Sequence, residues 1–251
     1  MLLEPYVLTG LTSSTVAMKE FAIHYNFKFP DGSHEEFQLR LDPETLELQG
    51  NTPAEIPAWT KLDFHQCPNC PLGVDTHPEC PLALRLVNLV ERFDGVLSHD
   101  RVDLEVVTEE RTITQKTTAQ KGIGSLMGLV IASSGCPLTA YLRPMARFHL
   151  PLASNEETVY RATSMYFLAQ YFAKKEGANA NLDLDGLSHI YENLQIINVA
   201  VAERLRAATT TDSSVNAIVV LDVYAKTVEM VIGGSLERIR YLFAPYFKPR
   251  Q

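Results

Sequence analysis

The chemistry that the sequence offers is concentrated in its four cysteines. Cys67, Cys70 and Cys80 lie within fourteen residues of one another, and Cys136 follows much later. A Cys-x-x-Cys turn brings two sulfur atoms to the same side, as zinc and iron–sulfur sites require. Each cysteine also precedes a proline, which fixes its own φ and favours extended backbone in the preceding residue. We therefore predict that all four cysteines bind one metal centre, with structural zinc expected and an iron–sulfur cluster as the alternative.

The fourth ligand of this centre has a second candidate. His77 stands three residues before Cys80, so His77-x-x-Cys80 could supply an imidazole in place of the Cys136 thiolate. The shared Cys-Pro step favours Cys136. A different function, a thiol oxidoreductase, would use Cys136 with its thiolate favoured by a helix start and by Arg143. Disulfide bonds are not expected, because the sequence carries no secretory signal and indicates a reducing compartment.

A second chemical feature is a stretch without acidic residues. Residues 111–155 contain five Lys or Arg and no Asp or Glu, a formal charge of +5, so the rest of this chain of net charge -8 carries -13. We expect the stretch to fold against the metal centre or an acidic neighbour. Arg143 and Arg147 follow Cys136 on a similar helical face, and we predict that they hold the thiolates or a bound anion.

Two further groups have a weaker chemical interpretation. Lys121-Gly-Ile-Gly-Ser125 resembles part of a phosphate-binding loop at a helix start, although the complete pattern is missing. His149 beside Arg147 offers acid–base chemistry, although a packed histidine is commoner. We find no nucleophile–base pair and no dinucleotide-binding fingerprint, so the sequence leaves open whether the protein is an enzyme.

Length and charge limit the classes of function. The chain has 251 residues, enough for one large domain or two small ones, and its net charge of -8 argues against general nucleic-acid binding. No apolar run approaches the roughly 18 residues of a membrane-spanning helix. We expect a soluble cytoplasmic protein that does not enter a membrane and that has a protein partner. The oligomeric state stays open.

Alternating apolar residues predict strands at the start of the chain. The first covers residues 20–29, the second includes residues 37–41, and a third is expected at residues 46–48. Pro30-Asp31-Gly32 predicts the turn between the first two. Another short strand is expected at residues 102–106, where apolar and acidic residues alternate.

Helical spacing predicts a mostly helical remainder. Residues 213–232 are rich in valine, which also suits a strand, but their length and lack of turn signals favour a helix. Ser154-x-x-Glu157 is a capping box. The predicted helices begin after Pro81, near residue 123, at Cys136, at Ser154, near Leu184 and Ser213, and at Ser235, the last ending by Pro245.

These elements predict an α+β fold, in which an N-terminal antiparallel β-hairpin or meander packs on a mostly α-helical body. The expected organisation is a loose extension at residues 1–18, a hairpin subdomain with its connector at residues 19–60, and a metal-binding helical body at residues 61–251. A hairpin of this size is too small to be stable alone, so it must pack on the helices.

The two cysteine segments resemble those of an uncharacterised bacterial protein family, a domain of unknown function. The resemblance rests on His65-Gln-Cys-Pro-Asn-Cys-Pro-Leu72, on Ser134-Gly-Cys-Pro137 with Leu142-Arg-Pro-Met-Ala-Arg-Phe-His-Leu-Pro151, and on Leu41-Asp-Pro-Glu-Thr-Leu46. It extends from about Lys19 onward. It implies a bacterial cytoplasmic protein and emphasises the Cys-Pro segments, but it transfers no catalytic residues.

Overall fold

A computed structural model describes residues 21–50, 53, 55–232 and 236–247. The extension that we predict at residues 1–18 lies outside the described residues. The strands are β1 (Phe21–Lys28), β2 (His34–Leu41), β3 (Leu48–Gln49), β4 (Arg101–Val107) and β5 (Thr112–Thr118). The helices are α1 (Pro81–Arg92), α2 (Ala119–Ala132), α3 (Arg143–Arg147), α4 (Asn155–Lys175), α5 (Asp185–Ala208), α6 (Ser213–Ile232), α7 (Leu236–Ile239) and α8 (Ala244–Phe247).

The strands form one antiparallel sheet in the order β3-β2-β1-β4-β5. Strand β1 lies at its centre, and Tyr25 is aligned with Phe37 on one side and with Val106 on the other. Alternate residues of β1 are buried, as expected for a sheet with one face on the core. The α+β prediction is therefore confirmed, although β5 was not predicted.

One hydrophobic core joins the sheet to the helices. Buried residues of β1, β2 and β4 share this core with those of α1, α2, α5 and α6. Strand β4 pairs directly with β1, so the core crosses the boundary that we predicted at residue 60. A second, smaller cluster joins α4 to α5 and α6.

The capping box and the long helices match their sequence signals. The Ser154 hydroxyl accepts the Glu157 backbone N–H at 3.2 Å, and the Glu157 carboxylate accepts the Ser154 N–H at 2.7 Å. Residues 213–232 form a helix, as predicted. The predicted stop at Pro245 is wrong, because this proline lies in the first turn of α8, where a missing N–H costs nothing. The predicted helix start at Ser235 lies outside the described residues.

Residues 121–125, which we interpret as a possible phosphate contact at a helix start, lie in the first turns of α2. A Cβ atom on Gly122 would lie 2.8 Å from Cε1 of Phe27, and one on Gly124 would lie 3.3 Å from the Ala217 carbonyl oxygen. The two glycines therefore allow α2 to approach the sheet and α6 closely. This packing accounts for the glycines without a bound phosphate.

We predict that Gly122→Ala lowers the free energy of unfolding. Alanine favours a helix over glycine by about 1 kcal/mol, but the added methyl overlaps the buried Phe27 ring, and overpacking typically costs about 1–3 kcal/mol. Gly128→Ala in the same helix is the control, since its Cβ would meet only Leu221 at 3.4 Å. Urea unfolding measures both variants, and equal stabilisation by the two would show that the close approach at Gly122 is unimportant.

Candidate functional site

The first two cysteines lie in a loop that is closed at its base. An antiparallel bridge joins Lys61 to Glu79, and the Cys80 N–H donates to the Thr60 carbonyl at 2.8 Å. The two ends of the loop at residues 61–80 therefore lie side by side. Cys80, at the second end, directly precedes the first turn of α1. The chain positions Cys80 by backbone hydrogen bonds before any metal is considered.

Within this loop, the Cys-x-x-Cys segment forms the expected turn. The Cys70 N–H donates to the Cys67 carbonyl at 3.0 Å. Both side chains are half-buried, and Cys67 packs against the main core. A turn closed in this way brings the two Cβ atoms to one side of the loop, as the spacing predicts.

Cys136 reaches the same region from the end of α2. Gly135, which precedes it, has a φ of 87°, and a Cβ atom there would lie 3.9 Å from the Cβ of Pro81. Pro81 directly follows Cys80. Three separate parts of the chain, carrying Cys67 with Cys70, Cys80 and Cys136, therefore meet beside the start of α1.

The electrostatics of the thiols show the same proximity. Burial raises the pKa of Cys67 to about 12, and the neighbouring Cys80, Cys70 and Cys136 raise it further. Burial also raises the pKa of the Cys136 thiol, while the backbone N–H groups of Leu138 and Thr139 oppose this shift. Like charges influence a pKa more strongly as they approach, and the direction of the shift agrees with the contact between Gly135 and Pro81.

The side chains nevertheless stop short of a closed coordination sphere. Among residues 21–50, 53, 55–232 and 236–247, no three His, Cys, Asp or Glu side chains are arranged to hold one metal ion. All four cysteines are free thiols. His77 is exposed and contacts the Thr76 hydroxyl at 2.9 Å, and His65 is exposed with its ring against Phe64.

Arg143 and Arg147 pair with acidic residues elsewhere in the chain. Arg143 lies 2.5 Å from the Glu47 carboxylate, and its side chain is 26% exposed. Arg147 contacts Glu110 at 3.5 Å and stacks over the Phe21 ring at 4.3 Å. The expectation of an acidic neighbour therefore holds for both residues, and their contacts are with carboxylates rather than with thiols.

The cation that acts on the cysteines is instead Arg204, which sequence reasoning missed. Arg204 is 2% exposed, and its guanidinium donates to the carbonyl oxygens of Trp59, Lys61 and Leu62 at 2.7, 2.8 and 3.1 Å. Its charge lowers the pKa of Cys67 against the larger effect of burial. Arg204 thus fixes the base of the cysteine loop to α5. A lone arginine inside an apolar helical stripe was the only sequence signal.

His149 belongs to a separate buried group. Its Nε2 lies 2.5 Å from the Tyr25 hydroxyl, which lies 2.9 Å from the Ser125 hydroxyl. The Leu152 N–H donates to the Ser125 oxygen at 3.1 Å. Burial, with a smaller contribution from Arg161, lowers the pKa of His149 to about 3. The imidazole is therefore neutral at pH 7, and its contacts with Tyr25 and Ser125 were not predicted.

Comparison with protein families adds one match. Residues 23–244 match the model of a family described as a domain of unknown function, DUF6901. The chain belongs to this family. Searches of the curated proteins and of the solved structures found no match to this DUF6901 protein. Within the residues that the structure describes, no helix is both long and apolar enough to cross a membrane.

We predict that Arg204→Met destabilises the protein by about 3 kcal/mol or more. The change leaves the carbonyl oxygens of Trp59 and Leu62 without their charge-assisted donor, and a buried acceptor costs about 1–3 kcal/mol when unpaired; the Lys61 oxygen keeps the Phe64 N–H. The control is Arg206→Met in the same helix, because the ion pair of Arg206 with Glu203 is exposed. Chemical denaturation compares the two. Similar losses would contradict a special role for Arg204.

His149 also predicts a pH dependence of stability. Its pKa is about 3 in the folded protein, whereas an unfolded histidine has a pKa of about 6.5. Below pH 6.5 the unfolded state therefore binds the proton first, and the free energy of unfolding falls as the pH falls towards 3. Between pH 7 and pH 5 this group should remove about 2 kcal/mol.

The measurement is the difference in unfolding free energy between pH 7 and pH 5. His149→Gln should flatten this dependence by about 2 kcal/mol, since glutamine does not titrate. The exposed His34→Gln is the matched control and should leave the slope nearly unchanged. An unchanged slope in His149→Gln would mean that the pKa of His149 is nearly the same in the folded and unfolded states, which contradicts the lowered pKa.

Proposed function

We propose that this DUF6901 protein binds one zinc ion through Cys67, Cys70, Cys80 and Cys136, and that the metal is structural. The observation that carries the proposal is that the end of α2 brings Gly135, next to Cys136, against Pro81, next to Cys80, at the base of the loop that carries Cys67 and Cys70. Four thiolates fill a tetrahedral site and leave no open position for a substrate, which favours a structural role over a catalytic one.

The surroundings of Cys136 support its role as a ligand. Backbone N–H groups of Leu138 and Thr139 lower the pKa of its thiol against the larger effect of burial, and so favour a thiolate there. Hydrogen bonds of this kind orient metal-bound sulfur and spread its charge. His77, the competing fourth ligand, is exposed and bonded to its neighbour Thr76. The proposal therefore keeps Cys136.

Charge explains why a divalent cation suits this place. Four thiolates with Zn²⁺ carry a net charge of about -2, and Arg204 is a buried cation beside them. Without a cation the raised pKa of Cys67 keeps its thiol protonated, so metal binding must release protons. The thiols must also rotate about their Cα–Cβ bonds to bring each sulfur to about 2.3 Å from the ion.

The same shifts disfavour the thiol oxidoreductase. A catalytic cysteine needs a lowered pKa, because the thiolate is the nucleophile. The pKa of the Cys136 thiol is raised by burial, and Arg143 pairs with Glu47. An iron–sulfur cluster uses the same four ligands and is separated from zinc by experiment.

The biological role that we propose is interaction with a protein partner in the cytoplasm. Helix α4 exposes a series of large apolar side chains, a feature that marks interaction surfaces when it is contiguous. They are Tyr160, Phe167, Leu168, Tyr171 and Phe172. In this proposal the metal stiffens the loop at residues 61–80, and the partner contacts the helical body.

Metal analysis of the protein, purified without oxygen and supplied with Zn²⁺, tests the centre. We expect about one zinc per chain and no visible absorption, whereas an iron–sulfur cluster would be brown. Cys67→Ser, Cys80→Ser and Cys136→Ser should each lower bound zinc and the melting temperature, because metal-binding energy stabilises the fold.

His77→Ala is the matched control and should retain full zinc content, since His77 is exposed. Full zinc in Cys136→Ser together with zinc loss in His77→Ala would replace Cys136 by His77 as the ligand. Zinc-free protein after reconstitution, with unchanged melting temperatures in all the serine variants, would overturn the proposal.

A further inference from the structure

The helical body contains a cavity of about 340 Å³ that is separate from the cysteines. Helices α2 to α6 contribute to its wall, which is mainly apolar. Its volume lies at the lower end of the range of about 300–1,000 Å³ that small-molecule sites occupy. Apolar side chains from three helices form its middle, among them Leu129, Leu194 and Leu221.

Arg161 brings a positive charge to this apolar cavity. Its Nη2 donates to the carbonyl oxygens of Met145 and Phe148 at 2.9 and 2.8 Å, and these two bonds fix its position. Burial lowers the pKa of Arg161, which shows that the guanidinium lacks the solvation it has in water. Within the described part of the chain it forms no direct ion pair. The Glu157 carboxylate, which accepts the Ser154 N–H in the cap of α4, raises the pKa of Arg161 less than burial lowers it.

The polar neighbours of Arg161 in the cavity wall carry no compensating charge, and the negative charge of Glu157 acts on the guanidinium from outside that wall. The Tyr191 hydroxyl is buried, its pKa is raised by burial, and among the described residues it makes a weak contact with the Met145 sulfur at 3.9 Å. His149 is neutral. Among the described residues that line the cavity, none is Asp or Glu. A partly buried cation without a direct ion pair has lost part of its hydration, and an anion that enters the cavity would compensate it.

A second polar group lies further along α5. Asn198 is 2% exposed and lines the cavity, and its Nδ2 has no hydrogen-bond partner among the residues that the structure describes. Tyr191 and Asn198 are seven residues apart, so they lie on one helical face about 10 Å apart. Leu194 lies between them on the same face. The wall thus offers a cation at one end, an apolar middle and a hydrogen-bond donor at the other end.

We propose that this cavity binds a small amphipathic monocarboxylate. The carboxylate pairs with Arg161 and accepts the Tyr191 hydroxyl, while its apolar body lies against Leu129, Leu194 and Leu221. Asn198 donates to an oxygen at the far end of the ligand. The one guanidinium in the wall matches one negative charge, because the other basic residue of the lining, Lys121, is exposed and keeps its hydration.

The proposal is tested by measuring how tightly the complete protein binds three ligands that share a ten-carbon chain. We expect calorimetry to detect decanoate and to show that decanol, which lacks the charge, binds about tenfold or more weakly. ω-Hydroxydecanoate should bind about fivefold more tightly than decanoate, because its hydroxyl reaches Asn198. Equal binding of decanol and decanoate, or no binding of either acid, would overturn the proposal.

Two variants assign the ends of the ligand. Arg161→Gln should weaken decanoate binding by about tenfold to one hundredfold, whereas Lys174→Gln on the exposed end of the same helix should not change it. Asn198→Leu is the second variant, because it removes an unpartnered amide and should not unfold the protein.

Asn198→Leu should bind decanoate as well as the unchanged protein does and should lose the preference for ω-hydroxydecanoate. A retained preference would contradict the role of Asn198. Unchanged decanoate binding by folded Arg161→Gln would contradict the anion site. None of these measurements depends on the cysteines, so they stand or fall separately from the zinc proposal.

Discussion

The close approach of α2 to its neighbours is the constraint on which the rest of the molecule depends. Gly122 leaves room for the Phe27 ring of the central strand, and Gly124 lets α2 lie against the Ala217 backbone of α6. A helix with larger residues at these positions would stand further from both layers. The sheet and the helical layer can share one core only because α2 contacts both at short range.

Both candidate sites follow from the position of α2. Its C-terminal end leads to Ser133, whose carbonyl accepts the Leu48 N–H of β3 at 2.8 Å, and then to Gly135 beside Pro81. This path brings Cys136 to the other cysteines. Along its length, α2 contributes Ser125 and Leu129 to the cavity wall. One helix therefore positions Cys136 at its end and the cavity along its side.

Patterns among neighbouring residues predicted most strands and helices. Features that depend on contacts between distant parts of the chain could not be predicted in this way. The alternation of β1 and the Ser154 cap are written in neighbouring residues, so both could be read from the sequence. Strand β5 was missed because its segment, residues 112–118, carries a single large apolar residue and lies at the sheet edge. The packing role of Gly122 and Gly124 was not predicted, because the sequence does not show which layer of the fold a helix contacts.

The choice of cation near the cysteines illustrates the same limit. Arg143 is near Cys136 in sequence, but Glu47 from the opposite end of the chain neutralises it. Arg204 lies more than sixty residues from any cysteine, yet the fold places it under the cysteine loop. The run of basic residues, and the acidic neighbours that it requires, are visible in the distribution of charge along the sequence. The contacts of a single buried arginine on a distant helix are not visible there.

Arg204 and Arg161 differ in how completely the protein satisfies the hydrogen-bond donors of their guanidinium groups. Arg204 uses three carbonyl oxygens from one loop, and its removal would free that loop from α5. Arg161 contacts only two carbonyls, both through one nitrogen, and lines a cavity whose described wall holds no carboxylate. A fully bonded cation stabilises the fold by itself. A cation whose donors are only partly used stabilises it less, and the remaining interaction energy is available to an anion that enters the cavity.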